Sequence, residues 1–526
     1  MKVKRLSFFL AASLATAVPV LGQKNPPVVS ANAPATMDPS APAGKALYEQ
    51  HCAACHGSNG DGNGPASVWL FPRPRNFSAG LFKIQSNPAG SLPTDDDLLQ
   101  TVTRGMPGSS MPSFTYLTEP QRREAVEYVK FLTAYTDESG KRINRFEEAK
   151  ANNRLLAPIN VPPEPPVTVQ ALAQGLALYQ KLQCFLCHGE TGAGDGPNAP
   201  TLKDTLGLYL PPRDFNTSPF RGGSTGRDLF LRTAIGLAGT PMAPFTSEVL
   251  NDQERWSLVH YVQSLRRKDI EINDILAPTD GIIHVPRVRR QLPIDPADPF
   301  WETMDPARIV LNPLWPEKDL IPAVAVRAVH DGRRVAILCT WHDPIADGAP
   351  VRVQDFQDAI ALQFSMSGNT PFLGMGDAQN PVNLWQWKAG WQQEFESQRP
   401  DVNTVYVSMH ADIYFQTNAL YRTAEAAQNL LSQPTHRSPV EDANARGFGT
   451  MKSQPPAGQN VKGKGIWRDS HWNVVFIRGL KSRDADDVKL AIGKPTPIAF
   501  AVWDGQNRDR NGRKVVSNWH KLILEP

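Results

Sequence analysis

One pentapeptide, written twice, constrains this chain more than anything else in it: Cys52-Ala-Ala-Cys55-His56 and Cys184-Phe-Leu-Cys187-His188. Two cysteines separated by two residues and followed at once by histidine form the attachment pattern of a c-type haem. The thiols bond the porphyrin's vinyl groups, and the histidine lies under the iron as proximal ligand. A segment of this kind folds around a flat apolar group, so the haem supplies much of its core. One copy could arise by chance. Two copies in matching surroundings mark a duplicated module.

The surroundings do match. Residues 44–136 and 166–268 form an internal repeat. Gly44-Lys-Ala-Leu-Tyr48 and Gly175-Leu-Ala-Leu-Tyr179 precede the cysteines, and Gly60-Asp-Gly-Asn-Gly-Pro65 and Gly192-Ala-Gly-Asp-Gly-Pro197 follow them. Pro74-Arg-Asn-Phe77 then corresponds to Pro212-Arg-Asp-Phe215, which gives Arg75 and Arg213 equal places, suited to haem propionates or to solvent. Each module closes with an amphipathic helix. Thr118-Glu-Pro-Gln121 is a capping box ahead of Ala125, Val129 and Leu132, and Asn251-Asp-Gln-Glu254 precedes Leu258, Val262 and Leu265.

A low-spin electron carrier needs a second axial ligand, and methionine's thioether favours ferrous iron. The first module offers Met106 and Met111, the second Met242. Aligning Gly108-Ser-Ser-Met111-Pro-Ser-Phe114 with Gly239-Thr-Pro-Met242-Ala-Pro-Phe245 selects Met111, with Met106 as competitor. In this order of parts both modules resemble class I cytochrome c domains. They depart from the pattern only in detail: Ala243 separates Met242 from Pro244. The resemblance implies two covalent haem c groups, held by Cys52, Cys55, Cys184 and Cys187. His56 and Met111 would ligate the first iron, His188 and Met242 the second.

At 526 residues the chain is too long for one core. Residues 1–22 read as an export signal, with Lys2, Lys4 and Arg5 ahead of the largely apolar Leu6–Leu21 and Gly22 at the cut. The other reading is a retained membrane anchor. The expected location is the periplasm. Residues 23–43 read as a disordered leader, 137–165 as a Pro-rich linker and 269–299 as a second linker. Without the signal's three basic residues, 52 basic side chains face 52 acidic ones. This balance argues against a nucleic-acid partner, which would need a basic patch. Four of the five cysteines belong to the haem motifs; Cys339, within Val335–Trp341, reads as a buried residue of a strand.

From residue 300 to 526 the pattern changes to alternation. Ala323–His330, Val335–Trp341, Ala359–Phe364, Thr404–Ser408, Val474–Ile477 and Ile498–Trp503 read as strands between Asp-Gly, Pro and Asn turns. The expected fold is an antiparallel β-sandwich, with 432–466 as a long polar loop or insertion. The whole chain is thus multidomain: two mainly-α cytochrome c domains followed by the β-sandwich.

The segments Pro371-Phe-Leu-Gly-Met375-Gly-Asp377, Val382-Asn-Leu-Trp-Gln-Trp387, Ala499–Gly505 and Arg513–Trp519 resemble the haem-binding domain of ethylbenzene dehydrogenase γ subunits. Similar domains serve dimethylsulfide, selenate, chlorate and nitrite oxidoreductase complexes. The resemblance implies one b-type haem between Met375 and Lys514, with Lys494 as competitor. A lysine ligates iron only as the neutral amine, so the site requires burial.

No catalytic constellation stands out. The resemblance implies a periplasmic multihaem electron-transfer subunit of a molybdenum oxidoreductase complex. It would pass electrons between that complex's iron–sulfur clusters and a soluble cytochrome or terminal oxidase of a respiratory chain. Two other readings fit the motifs: a dihaem peroxidase-like enzyme, or a dihaem cytochrome whose β-domain only docks a partner or carbohydrate.

Overall fold

The computed structural model describes residues 42–266, 281–315, 320–348, 350–397, 405–406, 408 and 436–526. The expected export signal, nearly all of the leader and most of the strand expected at 404–408 lie outside the described residues.

The first module contains α1 (Lys45–His51), α2 (Ala53–His56), α3 (Asp95–Arg104) and α4 (Glu119–Phe131). A two-residue hairpin follows, β1 (Tyr135–Thr136) with β2 (Arg142–Ile143), and then α5 (Arg145–Ala151). The second module repeats the plan as α6 (Val169–Lys181), α7 (Phe185–His188), α8 (Gly226–Ile235) and α9 (Asp252–Ser264). Helices α3, α4, α8 and α9 all begin with complete capping boxes, which satisfy orphan N–H groups reciprocally. The first and last helices of each module cross at a glycine. A Cβ on Gly44 would overlap Glu124 O, and one on Gly175 would overlap Ser257 O.

The span 137–165 is not only a linker. Helix α5 buries Phe146, whose ring meets Phe82 edge-on with centroids 6.2 Å apart, and Arg145 Nε donates to Ser78 O. Phe146 and Ala149, three apart on this short helix, supply an apolar face that the surrounding charges obscure.

The C-terminal domain consists of β3 (Ile282–Val285), β4 (Ala307–Val310), β5 (Asn312–Pro313), β6 (Ala323–His330), β7 (Arg334–His342), β8 (Ala359–Ser365), β9 (Val382–Lys388), β10 (Val440–Ala445), β11 (Lys452–Ser453), β12 (Lys462–Arg468), β13 (His471–Gly479), β14 (Pro495–Trp503), β15 (Val515–Val516) and β16 (His520–Leu524). One sheet runs β11-β10-β9-β8-β14-β15-β5, with β16 pairing β14 and β3; the other runs β12-β13-β7-β6-β4. Pairing is antiparallel except between β16 and β3. The two sheets share one core, to which Ile337, Cys339, Trp341 and Phe476 come from one side and Leu362, Phe364, Trp385, Trp387 and Phe500 from the other.

Two expected boundaries are corrected. Strand β3 lies in the span read as the 269–299 linker, yet it completes the larger sheet. Of the span 432–466, the described residues from 436 on are not one long loop. They supply β10, paired with β9 over six residues, and β12, paired with β13 over seven. The sequence hides β10 because two of its buried residues, Glu441 and Asp442, are acidic. Asp442 accepts from Asn383 Nδ2 at 2.6 Å, and Glu441 pairs with Lys388. Among the described residues no helix is long and apolar enough to cross a membrane.

Near the ends of β7, β8 and β14, Asp343, Asp358 and Asp504 are buried with carboxylate oxygens within 4.8 Å of one another. Asp358 accepts from Gly505 N, Asp347 N and Trp472 Nε1. Asp343 Oδ1 accepts from Ile345 N. Burial and the neighbouring carboxylates push Asp343 up to about 7 and Asp358 up to about 8.

Candidate haem sites

In the first module the helical turn at the motif brings both thiols and the histidine to one cleft, and the second module repeats the turn at Phe185–His188. Cys52 and Cys55 are half-buried, and burial pushes their thiols up to about 12; Cys184 rises to about 11. His56 Nδ1 lies 3.0 Å from Arg75 O, and His188 Nδ1 lies 3.3 Å from Arg213 O. A carbonyl only accepts, so each ring carries its proton on Nδ1 and leaves the Nε2 lone pair free. Burial also lowers both histidines, keeping them neutral. Phe77 stacks on His56 at 4.6 Å and Phe215 on His188 at 4.4 Å, which fixes the ring planes. Tyr48 and Tyr179 each donate at 2.7 Å to the glycine carbonyl after the histidine, Gly57 O and Gly189 O.

The methionine loops superimpose bond for bond. Met106 N donates to Met111 O and Leu237 N to Met242 O, both at 3.0 Å. Met111 thus corresponds to Met242, and Met106 to a leucine. Both Met106 and Met111 line the first module's cleft, opposite Cys52, Cys55 and His56. Leu70, Phe82, Leu98, Val126 and Val129 make much of the remaining wall apolar, and Arg73, Arg75 and Lys83 also line it. This donor set and shape fit a covalently held haem.

The same cleft has a wall from the C-terminal domain, made of Phe372 and Leu373. Leu373, Met375 and Tyr116 of the first module all pack against one cluster that includes Val382, Ala499 and Trp519. The loop therefore stands between the first haem cleft and the outer face of the larger sheet. That face is floored by Ala359 and Ala361 of β8, Ala499 and Ala501 of β14, and Ala443 and Ala445 of β10. Met375 packs toward one end of this floor. Lys514 lies toward the other, with Nζ 4.6 Å from the Trp503 ring. Burial, partly offset by Asp509, pulls Lys514 down to about 8. Lys494 is exposed, ahead of the start of β14. A small-residue floor with a thioether and a depressed lysine toward its two ends fits a flat ring with two axial donors. Met375 has φ 72°, a left-handed conformation rare for its type. Gly447 N holds it in place by donating to Met375 O at 2.8 Å.

Residues 41–133 match the family model for cytochrome c, and 170–262 that for cytochrome c oxidase, cbb3-type, subunit III. Residues 298–515 match the model for ethylbenzene dehydrogenase. The chain joins cytochrome c domains to an ethylbenzene dehydrogenase domain. The cytochrome c domains carry covalent haem c. The dimethylsulfide dehydrogenase subunit gamma of Rhodovulum sulfidophilum is 27% identical over 318 residues, 57% of this chain and 96% of that one. The chlorate reductase subunit gamma of Ideonella dechloratans is 27% identical over 201 residues, 38% of this chain and 64% of the relative, so the chain spans slightly under two thirds of that protein. A solved chain of the Kuenenia stuttgartiensis reducing HAO-like protein complex is 39% identical, covering 43% of this chain and 96% of that one with a TM-score of 0.39.

The ethylbenzene dehydrogenase domain holds what sequence reasoning missed. Along the chain Phe372 and Leu373 are only neighbours of Met375, yet they wall the cleft of another domain. The alanine floor had a readable signal, since alanines recur two apart in β8, β10 and β14.

Proposed function

We propose that the chain is a periplasmic electron-transfer subunit with two covalent haem c groups and one haem b. In this reading it is the γ-like subunit of a molybdenum oxidoreductase complex, exchanging electrons between that complex's iron–sulfur clusters and a soluble cytochrome or oxidase. Its relatives' names as dehydrogenase and reductase gamma subunits support this assignment. The observation that carries it is the shared loop. Leu373 lines the first haem cleft, its carbonyl accepts from Met375 N at 2.9 Å, and both side chains pack against one cluster, so the two sites have one wall in common.

When bound, each haem supplies a one-electron ferric–ferrous couple. The protein's part is to hold, space and desolvate. His56 and His188 present Nε2 in a fixed tautomer, and Met111 and Met242 offer soft sulfur from equivalent loops. Met375 and Lys514 would hold the third haem, where burial of the lysine makes its neutral amine accessible. Apolar walls keep water out and favour the ferrous form.

A pyridine haemochrome assay on the purified holoprotein tests this. Two covalent haems and one acid-acetone-extractable haem per chain are expected. Two covalent haems with none extractable would refute the three-haem reading and leave the C-terminal domain as a docking module.

A further inference from the structure

The two methionine loops start alike, on the left-handed glycines Gly108 (φ 67°) and Gly239 (φ 74°), but they are held differently. Gly108 N donates to Asn312 Oδ1 at 3.3 Å, and Ser113 N donates to Asn518 Oδ1 at 3.2 Å. Both acceptors belong to the ethylbenzene dehydrogenase domain, and the two donors flank Met111. In the second loop Pro244 stands where the first has Ser113, and proline has no N–H to donate. The bonds Thr205 N to Gly239 O, Met242 N to Thr240 Oγ1 and Phe245 N to Thr233 O hold that loop from within its own module. Burial follows the same division. Pro112 and Ser113 are half-buried, whereas Ala243 and Pro244 are exposed.

The two asparagines stand on one support. Asn312 lies in β5 opposite Val516 of β15, and Asn518 lies two residues beyond β15. Lys514 directly precedes β15, and its carbonyl accepts from Leu314 N at 3.1 Å. Ser517 fastens the segment to β14: Ser517 N donates to Phe500 O and Phe500 N to Ser517 Oγ, both at 2.9 Å. Trp519 Nε1 donates to Pro371 O at 2.9 Å, just ahead of Met375. A ligand carried on a loop is only as fixed as the loop, and the groups that hold the loop therefore act on the metal.

We propose that Asn312 and Asn518 are positioning residues for the first haem. They clamp the Met111 loop at both ends from the following domain, and so tie that haem's sixth position to the strand that follows Lys514. The Met242 loop, with Pro244 in place of Ser113, cannot take the second half of this clamp. The proposal rests on the reading of Met111 as the sixth ligand of a covalent haem.

The test uses the full-length holoprotein in a Met242→His background, which closes the second haem to carbon monoxide. Carbon monoxide takes the sixth position of a ferrous haem only when the methionine has left, and its uptake is read at the c-type absorption band. The double variant Asn312→Ala/Asn518→Ala loses two hydrogen bonds, so uptake is expected to speed up on the order of tenfold. The red charge-transfer band of ferric methionine ligation should weaken with it. Asn312→Asp/Asn518→Asp keeps both acceptor oxygens and should return both readings toward the background values. If the double alanine variant does not accumulate, the single variants serve, each with a rise of about threefold. Uptake and band equal to the background in the alanine variants would overturn the clamp. A background chain that already lacks the charge-transfer band would instead refute ligation by Met111, so the two failures are distinguishable.

Discussion

Asp343 shows how a single buried side chain sets a pH response. Its folded value, about 7, lies above its ordinary 3.8, and Asp358 behaves alike. The folded chain therefore holds protons that the unfolded chain has released. That stability is complete below about pH 4 and is lost as pH rises through 7 to 8. Asp343→Asn fixes the neutral form. Each tenfold change in proton affinity is worth about 1.4 kcal/mol, so the variant should gain on the order of 2 kcal/mol over wild type between pH 5 and pH 9. Thermal melts at both pH values check this, and an equal effect at both would contradict it. At this scale the sequence was informative where chemistry demands fixed spacing. Cysteine, cysteine and histidine announce themselves, and alignment of the two loops separates Met111 from Met106. Leu373 gives no such signal, because its role comes only from the fold that brings residue 373 against residue 52's cleft.

Among the elements, the helix crossings are the most exacting. Gly175 lies where α6 meets α9, and a Cβ there would also stand 2.6 Å from Tyr261 Cβ. Gly175→Ala improves intrinsic helix propensity by up to about 1 kcal/mol. Overpacking against backbone costs about 1–3 kcal/mol and must push the helices apart. The expected result is a net loss of stability in the second cytochrome c domain, read by denaturant unfolding followed at the haem absorbance. A gain would show that the helices separate freely. The repeat, the caps and the strongly alternating strands were legible because each carries its own local pattern. Strand β10 was not, because Asp442 and Glu441 are buried through pairing with Asn383 and Lys388, residues some 55 positions away. Strand β3 was hidden for a similar reason, since its partner is the final strand of the chain.

Across the whole molecule, the first cytochrome c domain is built into the ethylbenzene dehydrogenase domain. Gln50 Nε2 donates to Thr370 O at 3.3 Å, Phe71 N to Leu314 O at 3.0 Å, and Ser113 N to Asn518 Oδ1 at 3.2 Å. Leu373→Ala would open the first haem cleft to water at this seam. Water stabilises the more highly charged ferric form, so the first haem's potential should fall while the second's stays fixed. A spectroelectrochemical titration resolves the two, and an unchanged first potential would show that Leu373 does not shield the cleft. The order of domains along the chain was legible, but their docking was not, because it joins loops through scattered hydrogen bonds and single apolar residues such as Tyr116, Phe372 and Leu373, which carry no periodic pattern.

That docking also imposes an order on assembly. Phe372 and Leu373 line the cleft that contains Cys52 and Cys55, so the later domain, once folded, stands across part of the way to those thiols. That wall is made some 320 residues after the thiols it faces. Synthesis from the N-terminus therefore makes the thiols available before the wall that narrows their cleft.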